Sequence, residues 1–322
     1  MEIQPQADGI YLPEVDFWLD AQKPVHTSWV SHAHGDHFHS GIKEVFCTKG
    51  TSALLRVRGF TGKIQEVDWD STFQIRDFSF RILPAGHIPG SAMLIGEKNG
   101  KRFLYSGDIH PTPHEMAESL KYPDVPIDLL ICESTFGNDG FVQEDPNVLL
   151  EHLLDQTQSR PLLFGVYALG KAQRLCAMIH KIETGRKIYA DSGIINYFPV
   201  YQDLGFDPGP IHPWRRSAIS EKPSPILLLS PPAFKARARD LVWFSVWVSG
   251  WKLNYQPHYV RNTLPISDHA DKESLLKFVK TIQPKQVYFN HGYSQWMENE
   301  CEKILIKVAK IDDSKKIRLL NS

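Results

Sequence analysis

The sequence predicts an α/β protein in which one domain is interrupted by a smaller α/β insert. Three observations carry that expectation. Short apolar runs rich in β-branched and aromatic residues, bounded by Gly, Pro, Asn or Asp, fill the first half. Apolar runs then alternate with amphipathic, helix-length segments, the pattern of a parallel sheet with crossover helices. Beyond residue 256, isolated polar residues again stand at strand ends, as they do in the first 159. The expected division is 1–159 with 256–322 as the main domain and 160–255 as the insert.

The elements follow in order. VHTSWVS, FSFRILPA, SAMLIGE, KRFLYSGD and IDLLICES read as strands. His32, His87, Asp108 and Glu133 stand at or just beyond four of their ends. A strand end on a packed sheet is rigid enough to hold a side chain to metal-ligand tolerance. PNVLLEHLLDQTQ reads as a helix, PLLFGVYALG as a strand, GKAQRLCAMIHKIE as a helix and RKIYADS as a strand. PILLLSPP and LVWFSVWVSGW read as two buried strands, which makes Trp243, Trp247 and Trp251 strand and turn residues rather than a base-stacking platform. The proline-rich FPVYQDLGFDPGPIHPW and SEKPSP have no helical period and read as loops. PISDHAD leads into the helix KESLLKFVKTIQ, and the strand KQVYFN leads to His291.

Composition narrows the function classes. With 322 residues and 42% apolar content the chain can bury a sizeable core. No run of 18 apolar residues occurs, and the first residues have neither a basic nor an apolar leader region, so a cytoplasmic protein with no membrane partner is expected. The four cysteines, Cys47, Cys132, Cys176 and Cys301, are far apart and form no CxxC pair. They read as reduced thiols, so any metal would be held by nitrogen and oxygen. The net charge of −1 does not suggest a polyanion partner, yet basic residues bunch locally at 171–187, 215–216 and 235–239.

The stretch SHAHGDHFHSG holds four histidines and one aspartate. A shuffled chain of this composition would hold H-x-H-x-D-H only about twice in a thousand trials. His32 and His34, two apart in an extended loop, point the same way and can share an ion. Gly35 lets the loop turn back, so that Asp36 and His37 can serve a second ion nearby. His87, Asp108 and His291 are placed to complete such a two-metal site. His26 and His39 flank the loop, and His110 and His114 are candidates for the substrate path. His152, His180, His212 and His258 read as structural or surface residues.

FWLD, SHAHGDH, AGHIPGSA, YSGD and NHG resemble, in order, the motifs of the metallo-β-lactamase fold. ICESTFG, YALGKAQR and SGW…PISDHAD narrow the resemblance to the β-CASP nucleases. Within that group the chain is most similar, from about residue 8 to 296, to bacterial ligase-associated DNA exonucleases. The resemblance implies an αββα metallo-β-lactamase sandwich with a short α/β β-CASP-type insert acting as a cap. It implies that His32, His34 and His87 bind one metal and Asp36, His37 and His291 a second, with Asp108 bridging. Asp20 would orient the histidine loop by hydrogen bonds. Glu133 and His269 would form a carboxylate–histidine pair beside the metals, with His269 as general acid and Asp36 also in the catalytic set.

Two divalent ions are therefore expected; the histidine-rich donor set favours zinc, with manganese the alternative for the active form. Lys171, Arg174 and Ser91 are the expected nucleic-acid contacts, the first two at the start of a helix. The implied function is a DNA exonuclease of DNA repair, with a DNA ligase and a helicase of the same pathway as partners. HGY stands where several RNA-cleaving members have HGE, and the insert is shorter than in the large RNA-processing members. An RNA-processing nuclease is the alternative. A small-molecule ester or thioester hydrolase of the same fold would not need Glu133, His269 or the GKAQR stretch.

Overall fold

The computed structural model describes residues 1–139, 145–182, 185–250, 260, 262–312 and 316–319. Two compact units are present, Met1–Asp139 with His269–Ser322, and Gly140–Asp268. The chain opens with β1 (Glu2–Gln6), β2 (Gly9–Leu12), β3 (Phe17–Leu19), β4 (Thr27–Trp29), β5 (Glu44–Cys47), α1 (Lys49–Val57) and β6 (Lys63–Glu66). It continues with β7 (Thr72–Ile75), β8 (Phe78–Pro84), β9 (Ala92–Lys98), β10 (Lys101–Tyr105) and β11 (Leu129–Glu133). The second unit contains α2 (Pro146–Gln156), β12 (Leu162–Gly165), α3 (Lys171–Ile182), β13 (Ile188–Ala190), α4 (Ser192–Ile195) and α5 (Phe198–Asp203). It is completed by β14 (His212–Pro213), β15 (Ile226–Leu229), α6 (Pro231–Arg237), β16 (Phe244–Val248) and β17 (Asn262–Leu264). The first unit then resumes with α7 (Lys272–Ile282), β18 (Gln286–Asn290), α8 (Ser294–Lys303), β19 (Lys307–Val308) and β20 (Ile317–Arg318).

Two seven-stranded sheets build the first unit, in the orders β20-β1-β2-β3-β4-β5-β6 and β19-β18-β11-β10-β9-β8-β7. Alternation along the strands explains why they stack. Phe78, Phe80, Ile82, Leu94, Phe103, Tyr105, Leu129 and Ile131 meet Ile3, Ile10, Leu12, Phe17, Leu19 and Trp29 of the other sheet in one core. The intervening Leu83, Met93, Ile95, Leu104, Leu130 and Cys132 face the opposite way, onto Leu275, Phe278 and Val279 of α7 and Met297 and Cys301 of α8. The second sheet is thus buried on both faces, so its strands read as near-continuous apolar runs. Each fully buried Phe or Leu contributes about 1.5–3 kcal/mol.

The other unit has one six-stranded, wholly parallel sheet in the order β14-β13-β15-β12-β16-β17. Phe164, Ile226, Leu228, Val246 and Val248 face α2 and α3, while Leu163, Leu227, Leu229 and Trp247 face Phe234 of α6. Trp247 is buried in β16 and Trp243 just before it, as expected of strand and turn residues; Trp251 and His258 lie outside the described residues.

Two expectations are corrected. The insert's compact unit is wider than 160–255 at both ends, because Leu150 and Leu154 of α2, and Leu264 and Ile266, join its core. FPVYQD is not a loop but forms α5, with Pro199 in its first turn, where the missing N–H is no loss, and with Phe198 and Tyr201 buried.

Candidate metal centre

Strand ends of both sheets in the first unit deliver the site. Asp20 follows β3 in the left-handed region, at φ 52°. Its N–H is tied to the Trp29 carbonyl (2.9 Å), which turns the carboxylate towards the residues after β4. There Oδ1 accepts from Ser31 N (2.7 Å), and Oδ2 from Ser31 Oγ (2.6 Å), Tyr105 OH (2.8 Å) and His37 Nδ1 (2.7 Å). Four donors on one buried carboxylate fix the start of the histidine loop and the ring of His37. Burial, then Asp20, holds the Tyr105 phenol well above its ordinary range, so it stays a donor.

His87 sits on a second built loop. Ser91 Oγ accepts from His87 N (3.0 Å) and Ile88 N (3.2 Å), and Gly90 is left-handed at φ 77°. The Gly90 carbonyl accepts from Thr48 Oγ1 (2.6 Å) and Thr51 Oγ1 (2.9 Å), and its N–H donates to Glu118 Oε2 (2.9 Å). A Cβ at Gly90 would collide with Thr51 N and Thr48 Oγ1, so glycine is required there. Thr48 also caps α1 by accepting from Thr51 N (3.1 Å), so one hydroxyl ties helix to loop. Ser91 is buried, and its hydroxyl is turned onto the loop's own backbone. It therefore braces His87, which corrects its expected place among the nucleic-acid contacts.

His32, His34, His87 and Asp108 converge, offering donor atoms that all lie within 4.8 Å of one another. His34 Nδ1 is 3.1 Å from His32 Nε2 and 3.0 Å from His87 Nε2. Asp108 Oδ2 is 3.4 Å from His32 Nε2 and 3.7 Å from His87 Nε2. Four ligands at zinc–nitrogen distance in a tetrahedron would stand about 3.3 Å apart. The convergent donor set could hold a divalent ion, and its nitrogen and oxygen atoms suit zinc. Burial, followed by the nearby His37, pushes His32 well below its ordinary range, leaving it neutral and able to ligate.

A second group, Asp108, Glu133 and His269, shares Asp108 with the first. His269 Nδ1 is 3.1 Å from Glu133 Oε2 and 3.8 Å from Asp108 Oδ2. Glu133, at the end of β11, accepts from Ile109 N through Oε1 (2.6 Å) and donates its own N–H to Ser106 Oγ (3.1 Å).

The expected second-metal residues are arranged more loosely. His37 Nε2 is 3.3 Å from Asp108 Oδ2, but the His37 and His291 rings are 6.2 Å apart. Asp36 and His291 are exposed, and neither belongs to either convergent group among the described residues. Burial works against charge on His37, yet Asp108 and Asp20 on its two sides raise it well above its ordinary range. Burial likewise opposes charge on Asp108, but His37, His269 and His32 together hold it well below the carboxylate range. A cation bound at these groups would release the proton that the two carboxylates favour on His37.

Lys171 and Arg174 are not presented to a ligand. Lys171 Nζ lies 3.0 Å from Asp268 Oδ2, and Arg174 NH1 lies 3.1 Å from Oδ1 and 2.8 Å from the Ser267 carbonyl. Lys171 is 6% exposed and Asp268 3%, so both cations are turned onto a buried acid. That corrects the phosphate role expected of them. Asp268 is the residue that sequence reasoning missed: its neighbour His269 drew the attention, and a partner 97 residues away leaves no local signal. Of the remaining histidines, His110 is buried with Nδ1 2.6 Å from the Thr112 carbonyl, and His114 Nε2 is 3.0 Å from the Gly86 carbonyl.

Comparisons with known proteins agree with this arrangement. A β-lactamase superfamily domain matches residues 18–158, and a Zn-dependent metallo-hydrolase RNA specificity domain matches 258–309. The chain belongs to the metallo-hydrolases of the β-lactamase superfamily. Within that class it is a β-CASP protein, carrying both characteristic domains. It is 30% identical over 301 residues to a probable DNA ligase of Opitutus terrae, covering 89% of this chain and 29% of that protein. It is 28% identical over 226 residues to an RNase J-like protein of Methanocaldococcus jannaschii, covering 59% of this chain and 52% of the relative. Over 123 residues it is 32% identical to the endoribonuclease YSH1 of Eremothecium gossypii, covering 36% and 16%. The chain thus spans about half the length, or less, of these curated relatives. A crystal structure of a protein of unknown function from Enterococcus faecalis V583 shares the fold, with a TM-score of 0.64 at 15% identity over 91% of this chain and 81% of that one. No described helix is long and apolar enough to cross a membrane.

Proposed function

We propose that the chain is a metal-dependent phosphodiester hydrolase of nucleic acid, with DNA ahead of RNA as substrate and exonucleolytic repair as its setting. One observation carries the reading: Asp108 belongs both to the His32–His34–His87 donor set and to the Glu133–His269 pair. A bound divalent ion would supply Lewis acidity towards a phosphoryl oxygen and an acidified water. His32, His34, His87 and Asp108 would hold it, with His37 and the exposed Asp36 and His291 as the proposed set for a second ion. Asp20 keeps His37 in one tautomer, with Nδ1–H on the carboxylate and Nε2 towards Asp108. Glu133 does the same for His269: its Oε2 takes Nδ1–H, so Nε2 is the atom that delivers a proton to the leaving sugar oxygen. A leaving alkoxide needs that proton, which is the reason for a histidine here rather than another ligand.

The name of the relative matched over 89% of this chain supports DNA, and with it a DNA ligase as proposed partner; a helicase is proposed on the family resemblance alone. RNA is the second reading, supported by the ribonuclease names of the shorter matches. Digestion of end-labelled single- and double-stranded DNA and RNA by metal-reconstituted protein tests both. Progressive shortening of DNA is expected. Preferential cleavage of RNA would shift the assignment to the second reading, and no cleavage of any polynucleotide would overturn it.

A further inference from the structure

Among the described residues, one face of the insert's sheet is covered by α6, by the short 3-10 helix Arg216–Ser220 and by Val260, and the two helices are basic. Between Trp214 and Arg239 the chain carries six Lys or Arg residues and a single carboxylate, Glu221, in a protein whose net charge is −1. Core packing explains the inward-facing residues, among them Ala218, Phe234 and Trp243. It does not explain the outer ones: Arg215, Arg216, Lys235, Arg237 and Arg239 are all exposed.

Local pairing accounts for little of this charge. Glu221 is already shared by Arg215 (2.8 Å), Lys187 (3.2 Å) and the Tyr189 hydroxyl (2.7 Å). Arg237 lies over the Trp214 ring, 5.8 Å from its centre, which links the stretch after β14 to α6. Arg216, Lys235 and Arg239 form no ion pair with any described residue. The C-terminal dipole of α6 favours Lys235 and Arg237, but that reason does not extend to Arg215, Arg216 or Lys222, which lie outside the helix.

We propose that this face is a docking surface for the phosphate backbone of a polynucleotide, additional to the metal centre. The proposal rests on the reading of the chain as a nucleic-acid hydrolase, and it adds a place where a long substrate is gripped besides the reacting phosphate. Charge complementarity selects the partner. Six cations set against Glu221 and the adjoining Asp240 match a polyanion, and the half-buried Trp214 beside Arg237 adds an aromatic ring to the same surface. A small-molecule substrate would make no use of such a surface. Leu241 and Val242, exposed nearby in sequence, make an anionic lipid surface the rival partner.

The test is the triple variant Arg216→Gln, Lys235→Gln, Arg239→Gln, which leaves the Arg215–Glu221 and Arg237–Trp214 contacts in place. Three measurements on the metal-loaded full chain decide it: KM for a long single-stranded oligonucleotide, turnover of a nitrophenyl phosphodiester of thymidine, and the salt dependence of oligonucleotide binding. The expected result is a raised KM for the long substrate alone. The slope of log K against log salt should fall by about 0.7 for every phosphate that is no longer neutralised. Restoring charge by Arg216→Lys and Arg239→Lys with native Lys235 should recover most of the slope. An unchanged slope and KM in a variant whose parent cleaves oligonucleotides would overturn the docking surface and leave the nuclease reading intact. Loss of binding to phosphatidylserine vesicles with oligonucleotide binding retained would overturn it in favour of a membrane. A parent protein that neither binds nor cleaves any polynucleotide would overturn both readings together.

Discussion

At the scale of single residues, His269 and Asp108 can be told apart by the leaving group. A sugar alkoxide needs a proton as it departs, whereas a nitrophenolate scarcely does. His269→Ala should therefore lose about 10²–10⁴-fold on DNA and far less on an activated aryl diester, while Asp108→Ala, which removes the oxygen shared by both groups, should lose activity on both and bound metal as well. Equal losses on the two substrates for His269→Ala would make it a positioning or metal-binding residue. The donor set of His32, His34, His87 and Asp108 was legible because each stands at the end of an apolar run, and the two-residue spacing of the first pair is itself geometric. Lys171, Arg174 and Ser91 look like substrate contacts in the sequence because residue type and a helix start are local facts. What each actually faces (a carboxylate 97 residues away, or the backbone of its own loop) is a tertiary fact.

At the scale of elements, α3 is anchored through its first turn to Asp268, the last residue of its compact unit. Lys171→Met keeps the length of the side chain but leaves Asp268 with one cation in place of two. Removing a partner from a buried ion pair typically costs about 3–5 kcal/mol, and the lower figure is expected because Arg174 remains. Denaturant unfolding measures it; a change near zero would return Lys171 to the role of a substrate ligand. The strands of both units were readable because sheets buried on both faces give continuous apolar runs. Helix α5 was not, since a proline usually argues against a helix and here occupies the one turn that tolerates it. The edges of the insert were misplaced for a related reason: α2 looks like a connecting segment until Leu150 and Leu154 are seen inside the core.

For the molecule as a whole, the donors come from different sheets of the sandwich: His32 and His34 follow β4, while His87 and Asp108 follow β8 and β10. An ion held between them would join the two sheets at one end, so its removal should weaken the fold as well as the chemistry. At a hundredfold excess over its dissociation constant a ligand adds about 2.7 kcal/mol. A chelator should lower the thermal midpoint, and added zinc should restore it; an unaltered midpoint would argue against a bridging ion. The same topology also sets an order of events during synthesis. The Gly140–Asp268 unit is contiguous, and its parallel sheet can close as soon as its own residues have left the ribosome. The unit around it cannot. β11 waits for β18, whose pairing runs from Leu129↔Gln286 to Glu133↔Asn290, and β1 waits for β20. Until those residues emerge, a growing chain exposes two unpaired strand edges that can join those of another nascent chain. Glu133 meanwhile lacks His269, so the Glu133–His269 pair is assembled only late in synthesis, and a truncated product carries the His32, His34, His87 and Asp108 cluster without it.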